Sequence, residues 1–172
     1  LTGMYAVSAI TSALYRREKT GKGQQIDLAL LDTQVACLAN QNMNYLIGGE
    51  TPQRLGSAHP NIAPYQSVKS KNSYFMLAVG NQSQFEQLCE AIGRKELLDD
   101  KRFENNQQRV KHRTELIEQL ELDLVKQDSE YWLLKLAKRN VPCAPINTIP
   151  QVFEDPQIKH RNMLFELSGQ NG

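Results

Sequence analysis

The chain has 172 residues, with 20 Lys and Arg against 19 Asp and Glu, and a formal net charge of +1 at pH 7. This balance argues against a protein that binds nucleic acid or an anionic membrane, since such proteins normally carry a basic excess. No apolar run approaches the ~20 residues that span a bilayer, and the three widely spaced cysteines predict neither a disulfide framework nor a metal site. The composition is typical of a soluble, globular protein of a reducing compartment.

Apolar residues at helical spacing begin with the first residue and predict a helix that ends at Thr20, where Gly21 and Gly23 can supply a turn. Only Thr2 could cap the start of this helix. The helical pattern therefore starts without a proper beginning, and we interpret the chain as a piece of a longer protein.

A strand of mixed period is predicted over residues 25–31, and a second helix is predicted from Asp32 or Thr33 to Gly48. Residues 49–64 are rich in proline, glycine and polar residues and predict a loop. A loop of this length is expected either to have a function or to connect two domains.

Residues 65–79 predict a β-hairpin, with strands over 65–70 and 73–79 and a turn in which Asn72 takes the left-handed conformation. Further helices with apolar stripes are predicted after Asn81, Arg113 and Asp128, followed by an extended segment over 141–146. Together these elements predict a helix-rich α+β fold.

Few side chains indicate chemistry by themselves. His59 lies in a glycine-containing loop, where an imidazole could bind a ligand or could simply be solvated. Arg109 and Arg113 are four residues apart on one predicted helix face and could bind a phosphate, although surface ion pairing is the favoured interpretation. Cys143 lies between two prolines and is predicted to be a small buried hydrophobe rather than a nucleophile.

An ordered series of short motifs runs along nearly the whole chain. It includes Leu1-Thr-Gly-Met-Tyr-Ala, Thr20-Gly-Lys-Gly-Gln-Gln-Ile-Asp, Leu30-Leu-Asp, Gly56-Ser-Ala-His-Pro-Asn, Pro64-Tyr-Gln, Ala78-Val-Gly-Asn, Phe103-Glu-Asn-Asn, Val141-Pro-Cys-Ala-Pro-Ile and Asp155-Pro-Gln. In order and spacing this series resembles the class III CoA-transferases, also called the carnitine-dehydratase/bile-acid-inducible F family. The resemblance is strongest to the branch that moves CoA between dicarboxylic acids, such as succinyl-CoA:glutarate transferases.

The resemblance implies a helix-strand-helix part of a Rossmann-like large domain over residues 1–48, and a linker with an active-site loop over 49–64. A small domain of hairpin and helices would follow over 65–156, and residues 157–172 would start the return toward the large domain. In the full-length family fold, two chains interlock as a homodimer, and the active site lies between the large and small domains.

The resemblance also implies where the site residues lie. The family's nucleophile is an Asp three residues before a Thr that corresponds to Thr2, so the Asp would precede Leu1 and this chain would hold no catalytic residue. The family's mobile glycine loop, which closes over the acyl-aspartate, corresponds to a segment with a single glycine here. The substrate and CoA pocket loop would consist of Gly56, Ser57, His59 and Pro60. Leu30, at the end of the predicted strand, would pack near CoA.

The implied function is transfer of CoA between carboxylic acids, in particular dicarboxylates, through an aspartyl mixed anhydride. Acyl-CoA and a carboxylic acid would be the substrates, with no permanent cofactor, no metal and neither nucleic acid nor membrane as partner. The expected location is the cytoplasm, and this piece alone is expected to be inactive. Two alternatives stay open: a piece of an α-methylacyl-CoA racemase-like isomerase, which uses a His/Asp pair, and a non-catalytic interaction module.

Overall fold

A computed structural model describes residues 1–167 and 169 of the chain. The chain divides into two units, the first over Leu1–Arg54 and the second beginning at Leu55. The division lies inside the segment 49–64. The described residues form helices and a small antiparallel sheet, so the prediction of a helix-rich α+β fold is confirmed.

The first unit is helical. Its helices are α1 (Thr2–Thr20), α2 (Leu30–Ala36) and α3 (Asn40–Leu46). Helix α1 ends as predicted, because Gly21 adopts φ 67° and its N–H donates to the carbonyl of Arg17. No side chain caps the start of α1 at Leu1.

The strand predicted over residues 25–31 is wrong. Residues 22–29 are neither helix nor strand, and α2 begins at Leu30. A strand needs a neighbouring strand to pair its backbone groups, and residues 1–54 contain none. The helix predicted from Asp32 or Thr33 to Gly48 is divided into two, because Ala39 at φ 49° leaves the right-handed helical region.

The second unit contains the sheet and the remaining helices. Its elements are β1 (Tyr65–Lys69), β2 (Tyr74–Ala78), α4 (Gln82–Ile92), a 3-10 turn (Lys95–Leu98), α5 (Asn106–Lys111), α6 (Arg113–Leu124), α7 (Ser129–Ala137), β3 (Cys143–Pro145), α8 (Ile149–Glu154) and α9 (Pro156–His160). The sheet has the order β1-β2-β3, and both pairs are antiparallel.

The predicted hairpin is present, but its turn differs from the prediction. The N–H of Ser70 donates to the carbonyl of Ser73 at 2.8 Å, so Lys71 and Asn72 are the two residues of the connection, as predicted. The backbone of Asn72 stays outside the left-handed region. Its side chain instead accepts from the N–H of Ser129 at 2.9 Å and donates to Glu130 at 3.1 Å, which joins the turn to the start of α7. The interaction that decides the turn is therefore long-range.

A single apolar core lies between the sheet and the helices of the second unit, as the apolar stripes predict. Its fully buried members include Val68, Phe75, Leu77, Phe85, Leu88, Leu116, Leu120, Leu124 and Leu136. Trp132 is 4% exposed and donates from Nε1 to the carbonyl of Leu124 at 2.7 Å. Asn81 caps α4 as predicted, accepting from the N–H of Gln84 at 2.9 Å.

Candidate functional site

The loop from Gly56 to Pro60 lies against the first strand of the second unit. Gly56 adopts φ 61°, a conformation that glycine takes without strain. The Ser57 hydroxyl accepts from the N–H of Ser67 at 3.1 Å and lies 2.8 Å from the Ser67 hydroxyl. Both bonds tie the start of the loop to β1.

His59 is half-buried and its ring is held in one orientation. The backbone N–H of His59 donates to the carbonyl of Tyr65 at 2.8 Å, and the two rings stack with centroids 5.2 Å apart. The Nδ1 of His59 accepts from the backbone N–H of Asn61 at 3.1 Å. A ring nitrogen that accepts a hydrogen bond carries no proton, so the neutral ring has its hydrogen on Nε2.

Arg113, at the start of α6, binds the backbone of this loop. Its guanidinium donates to the carbonyls of His59 at 2.6 Å, Pro60 at 3.3 Å and Ile62 at 3.1 Å. These contacts join residues more than 50 positions apart in sequence. The prediction that Arg113 forms a surface ion pair is therefore wrong, because the loop carbonyls occupy its donors.

Arg109, in α5, is 2% exposed and binds the backbone three residues after the loop. It donates to the carbonyl of Ala63 at 2.9 Å and to that of Phe103 at 3.0 Å. It also donates to the Gln82 side chain at 2.8 Å, and it lies 4.4 Å from the centre of the Phe85 ring. Surface ion pairing is wrong for Arg109 as well, because its guanidinium is buried and donates to these groups. The predicted common helix face is also wrong, since α5 ends at Lys111 and α6 begins at Arg113.

The two guanidinium groups place positive charge next to the backbone of residues 59–63. Burial lowers the pKa of both Arg109 and Arg113, although an arginine remains protonated at neutral pH. Among the described residues, no carboxylate forms an ion pair with either group. Their hydrogen bonds go to neutral carbonyls and an amide, so neither cation has a charged hydrogen-bond partner among these residues.

A cavity of about 210 Å³ adjoins the loop. It is lined by Leu55, Ala58, Gln66, Arg113, Thr114, Ile117 and Glu118. The Oε1 atom of Gln66, one of these residues, is buried without a hydrogen-bond partner in the described part of the chain. A more open polar groove of about 800 Å³ lies between the start of α4 and residues 138–140 and shares no lining residue with this cavity.

Leu30, the other residue implied in the pocket, belongs to the first unit. It is the first residue of α2 rather than the last of a strand, and its side chain is 76% exposed. It borders a groove of about 560 Å³. The groove is also lined by Leu1, Thr2, Leu31, Thr33, Gln34 and Cys37.

Two cysteines of the second unit are poor nucleophiles. Burial raises the pKa of Cys89 to about 12 and also raises that of Cys143, so both are thiols at neutral pH. Cys143 is half-buried in β3 against the core. Among the described residues, no cluster of three or more His, Cys, Asp or Glu could hold a metal ion, and no helix has the length and apolar character needed to cross a membrane.

Sequence reasoning predicted the loop but missed what holds it. The fold brings three residues near residues 56–63, and their place in the sequence does not show this: Gln66, Arg109 and Arg113. Residue 112 is a histidine, and neither glycine nor proline marks the helix end that separates the two arginines. Only the presence of two basic residues at this point could have drawn attention to them.

Comparisons with known proteins identify relatives of this chain. The profile of the family described as CoA-transferase family III matches residues 1–172. Succinate–glutarate CoA-transferase of Agrobacterium fabrum is 44% identical over 171 residues, which cover 99% of this chain and 43% of that protein. Human succinyl-CoA:glutarate CoA-transferase is 40% identical over 166 residues, which cover 96% of this chain and 38% of that protein. The chain thus spans about two-fifths of the length of these curated relatives.

Solved structures agree with this relationship. The crystal structure of a CAIB/BAIF family protein from Brucella suis is 49% identical and has a TM-score of 0.76, covering 94% of this chain and 43% of that one. The Mycobacterium tuberculosis protein Rv3272 has a TM-score of 0.82 at 24% identity, covering 96% of this chain and 43% of that one, which shows a shared fold alone.

Proposed function

We propose that this chain, which belongs to CoA-transferase family III, is part of an enzyme that transfers CoA between carboxylic acids, with dicarboxylates as substrates. The observation that carries this proposal is the 44% identity to a succinate–glutarate CoA-transferase across 99% of the chain. The relatives reported above that are named by activity are transferases, which favours transfer over racemase-type isomerisation.

In the proposed reaction, a carboxylate of the enzyme attacks the thioester carbonyl of an acyl-CoA. The carbon–sulfur bond breaks, CoA leaves as a thiolate, and the acyl group remains as a mixed anhydride. The thiolate then attacks the enzyme carbonyl of the anhydride, which releases the donor acid as a carboxylate and leaves CoA as a thioester on the enzyme. The acceptor carboxylate attacks this thioester in the same way, and the returning thiolate forms the new acyl-CoA and frees the enzyme carboxylate. One thioester replaces another, so the exchange is nearly thermoneutral. The nucleophilic Asp is expected upstream of Leu1, and this chain would then supply binding groups rather than the nucleophile.

The loop in the second unit is proposed to form one wall of the substrate pocket. Its members in this role are Gly56, Ser57, His59 and Pro60, with Leu30 proposed to lie near CoA. The bonds that tie Ser57 to β1 and the loop carbonyls to Arg113 support this role, because a wall of fixed shape can keep water from an anhydride.

The remaining features of the whole protein are proposed from the family. It is a homodimer of interlocked chains, acts in the cytoplasm, uses CoA as the transferred group and keeps no permanently bound cofactor. It has neither nucleic acid nor a membrane as partner. The near-zero net charge supports the last point, since binding of a polyanion normally needs a basic excess.

The test is to compare this chain with a protein extended upstream through the expected large domain. With succinyl-CoA and glutarate, the extended protein should form glutaryl-CoA, detected by mass spectrometry, while residues 1–172 alone should form none. Replacing the expected upstream Asp by Ala should lower the rate of transfer by many powers of ten, because the anhydride route is lost.

The control is Cys143→Ala in the extended protein, which should transfer CoA as the parent does. Transfer by residues 1–172 alone would contradict the assignment of the nucleophile to the upstream segment. An extended protein that exchanges the α-proton of a 2-methylacyl-CoA with solvent deuterium, and forms no glutaryl-CoA, would be an isomerase instead.

A further inference from the structure

We propose that His59 donates a hydrogen bond from Nε2 to a carboxylate of the acid substrate, and that Arg113 is the positioning residue that aims it. This inference rests on the proposed function, since it assigns a ligand to the loop of that same pocket. It concerns substrate binding and assigns no step of bond making or breaking to either residue.

The first observation is the fixed tautomer of His59. The Asn61 N–H donates to Nδ1 at 3.1 Å, which leaves Nε2 as the protonated nitrogen of the neutral ring. Stacking on Tyr65, with planes 21° apart, limits rotation of the ring. In the described part of the chain, Nε2–H has no acceptor of its own. His59 is thus a donor with a set direction and no protein partner.

The second observation is the way the loop backbone is held. One guanidinium, that of Arg113, binds the carbonyl of His59 itself and the carbonyls of two of the three residues that follow it. The donors of an arginine form a rigid planar fork, so three carbonyls gathered on one guanidinium have little freedom to move. Arg113 therefore fixes the place and direction of His59.

The third observation is charge, and it selects the acceptor. Arg109 and Arg113 are cations next to the backbone of residues 59–63, and among the described residues neither has a carboxylate partner. Uncompensated positive charge favours an anionic acceptor for the Nε2–H bond, and hydrogen bonds to charged groups are the stronger ones. The substrates of the proposed reaction carry two kinds of anionic oxygen that could accept this bond, the carboxylate of the acid and the phosphates of CoA. A single neutral N–H donor matches one carboxylate oxygen, while phosphates are usually bound by several cationic or backbone donors.

The experiment uses the extended, active protein. Its variants distinguish the contribution of the Nε2–H donor of His59 from that of ring stacking on Tyr65. His59→Phe keeps an aromatic ring to stack on Tyr65 but removes both nitrogens, whereas His59→Gln keeps an N–H close to the position of Nε2. We expect His59→Phe to raise KM for glutarate about tenfold, and His59→Gln to recover most of that loss. Should His59→Phe not fold, His59→Asn replaces it, because its shorter amide does not reach the Nε2 position.

Free CoA distinguishes the two anions, because it carries the phosphates and no carboxylate. Its inhibition constant should change less than about twofold in His59→Phe if the acceptor is the acid. An inhibition constant that rises as much as KM would assign His59 to phosphate and overturn the proposal. Equal KM values in His59→Phe and in the parent, or equal losses in His59→Phe and His59→Gln, would also overturn it.

Arg113→Lys tests positioning, and Arg94→Lys is the matched control. Arg94 is also a partly buried arginine bound to α6, through Gln119 and Asp123, but it makes no contact with the loop. Arg113→Lys should raise KM for glutarate with little change in kcat, and it should add nothing in the double variant with His59→Phe.

Arg94→Lys should leave KM unchanged. Independent, additive effects of Arg113→Lys and His59→Phe would show that Arg113 does not act through His59. If the parent protein itself fails to transfer CoA, the proposed function fails; transfer with an unchanged KM in the His59 variants refutes only this inference.

Discussion

The two units of the chain differ in what holds them together. Of residues 1–54, only Thr33 is buried, and the large apolar side chains of α1 are exposed, among them Met4 at 69% and Ile10 at 50%. The second unit contains a continuous core, in which Phe85, Leu120 and other side chains are fully buried. The helices of the first unit are described without a buried core, whereas the helices of the second unit are stabilised by packing on one.

This contrast separates local from tertiary stabilisation. Helix α1 spans 19 residues, long enough for local hydrogen bonds to support it, and a left-handed Gly21 ends it. Helix α5 spans six residues, too few to be stable alone, and depends on Asn105 as cap and on the buried Arg109. Stability of the second unit should therefore respond to single contacts, whereas that of the first should not.

The largest expected effect comes from truncating one side chain in each unit. Phe85→Ala removes a fully buried ring and should lower the free energy of unfolding by about 3–5 kcal/mol, through lost burial and the cavity left behind. Leu46→Ala removes a side chain that is 71% exposed and should change it by less than about 0.5 kcal/mol. Urea unfolding followed by circular dichroism measures both. Equal decreases in the free energy of unfolding would show that Leu46 is buried in solution and would contradict the difference between the two units.

A smaller effect is expected at Arg109, where the second unit depends on polar contacts inside its core. Arg109→Met leaves the buried carbonyls of Ala63 and Phe103 without their donor and should cost about 2 kcal/mol. The fluorescence of Trp132, the single tryptophan, reports unfolding of this unit. The control is Arg102→Met, which breaks an exposed pair with Asp100 and should leave the urea midpoint unchanged. An Arg109→Met protein as stable as the parent would mean that the loop carbonyls find other donors.

The smallest expected effect is the pH dependence contributed by Asp123. Burial raises the pKa of this carboxyl, but hydrogen bonds from Lys126 and Arg94 outweigh burial and hold the pKa below its usual value. Because the folded pKa is lowered, the stabilisation is complete above the unfolded pKa of about 3.9 and is lost as pH falls through the folded value. Asp123→Asn should flatten the dependence of the unfolding free energy on pH below about pH 4, measured by urea titrations followed through Trp132.

Asp27→Asn, in the first unit, is the control for this pH measurement. It should leave the dependence reported by Trp132 as it is in the parent, since Asp27 lies outside the unit that contains the tryptophan. An Asp123→Asn protein with the pH dependence of the parent would show that the bonds to Arg94 and Lys126 do not contribute.

Sequence patterns predicted the elements whose signals are local. The end of α1 at Gly21, the cap of α4 at Asn81 and the hairpin strands are all confirmed. The strand over 25–31 was predicted from its residues alone and is wrong, because a strand exists only where a partner offers backbone hydrogen bonds. The turn at Asn72 differs for a similar reason, as its side chain bonds to residues more than 50 positions away.

The candidate site divides in the same way. The sequence by itself determined the family, through motifs that recur in order along the chain, and it located the loop that contains His59. Only the tertiary structure decided that Arg113 binds the loop carbonyls, that Arg109 binds the carbonyl of Ala63, and that the Asn61 N–H sets the tautomer of the His59 ring. The physical reason is that a motif records which residues are present, whereas the partner of a guanidinium or an imidazole depends on which distant carbonyls and N–H groups the fold brings within about 3 Å.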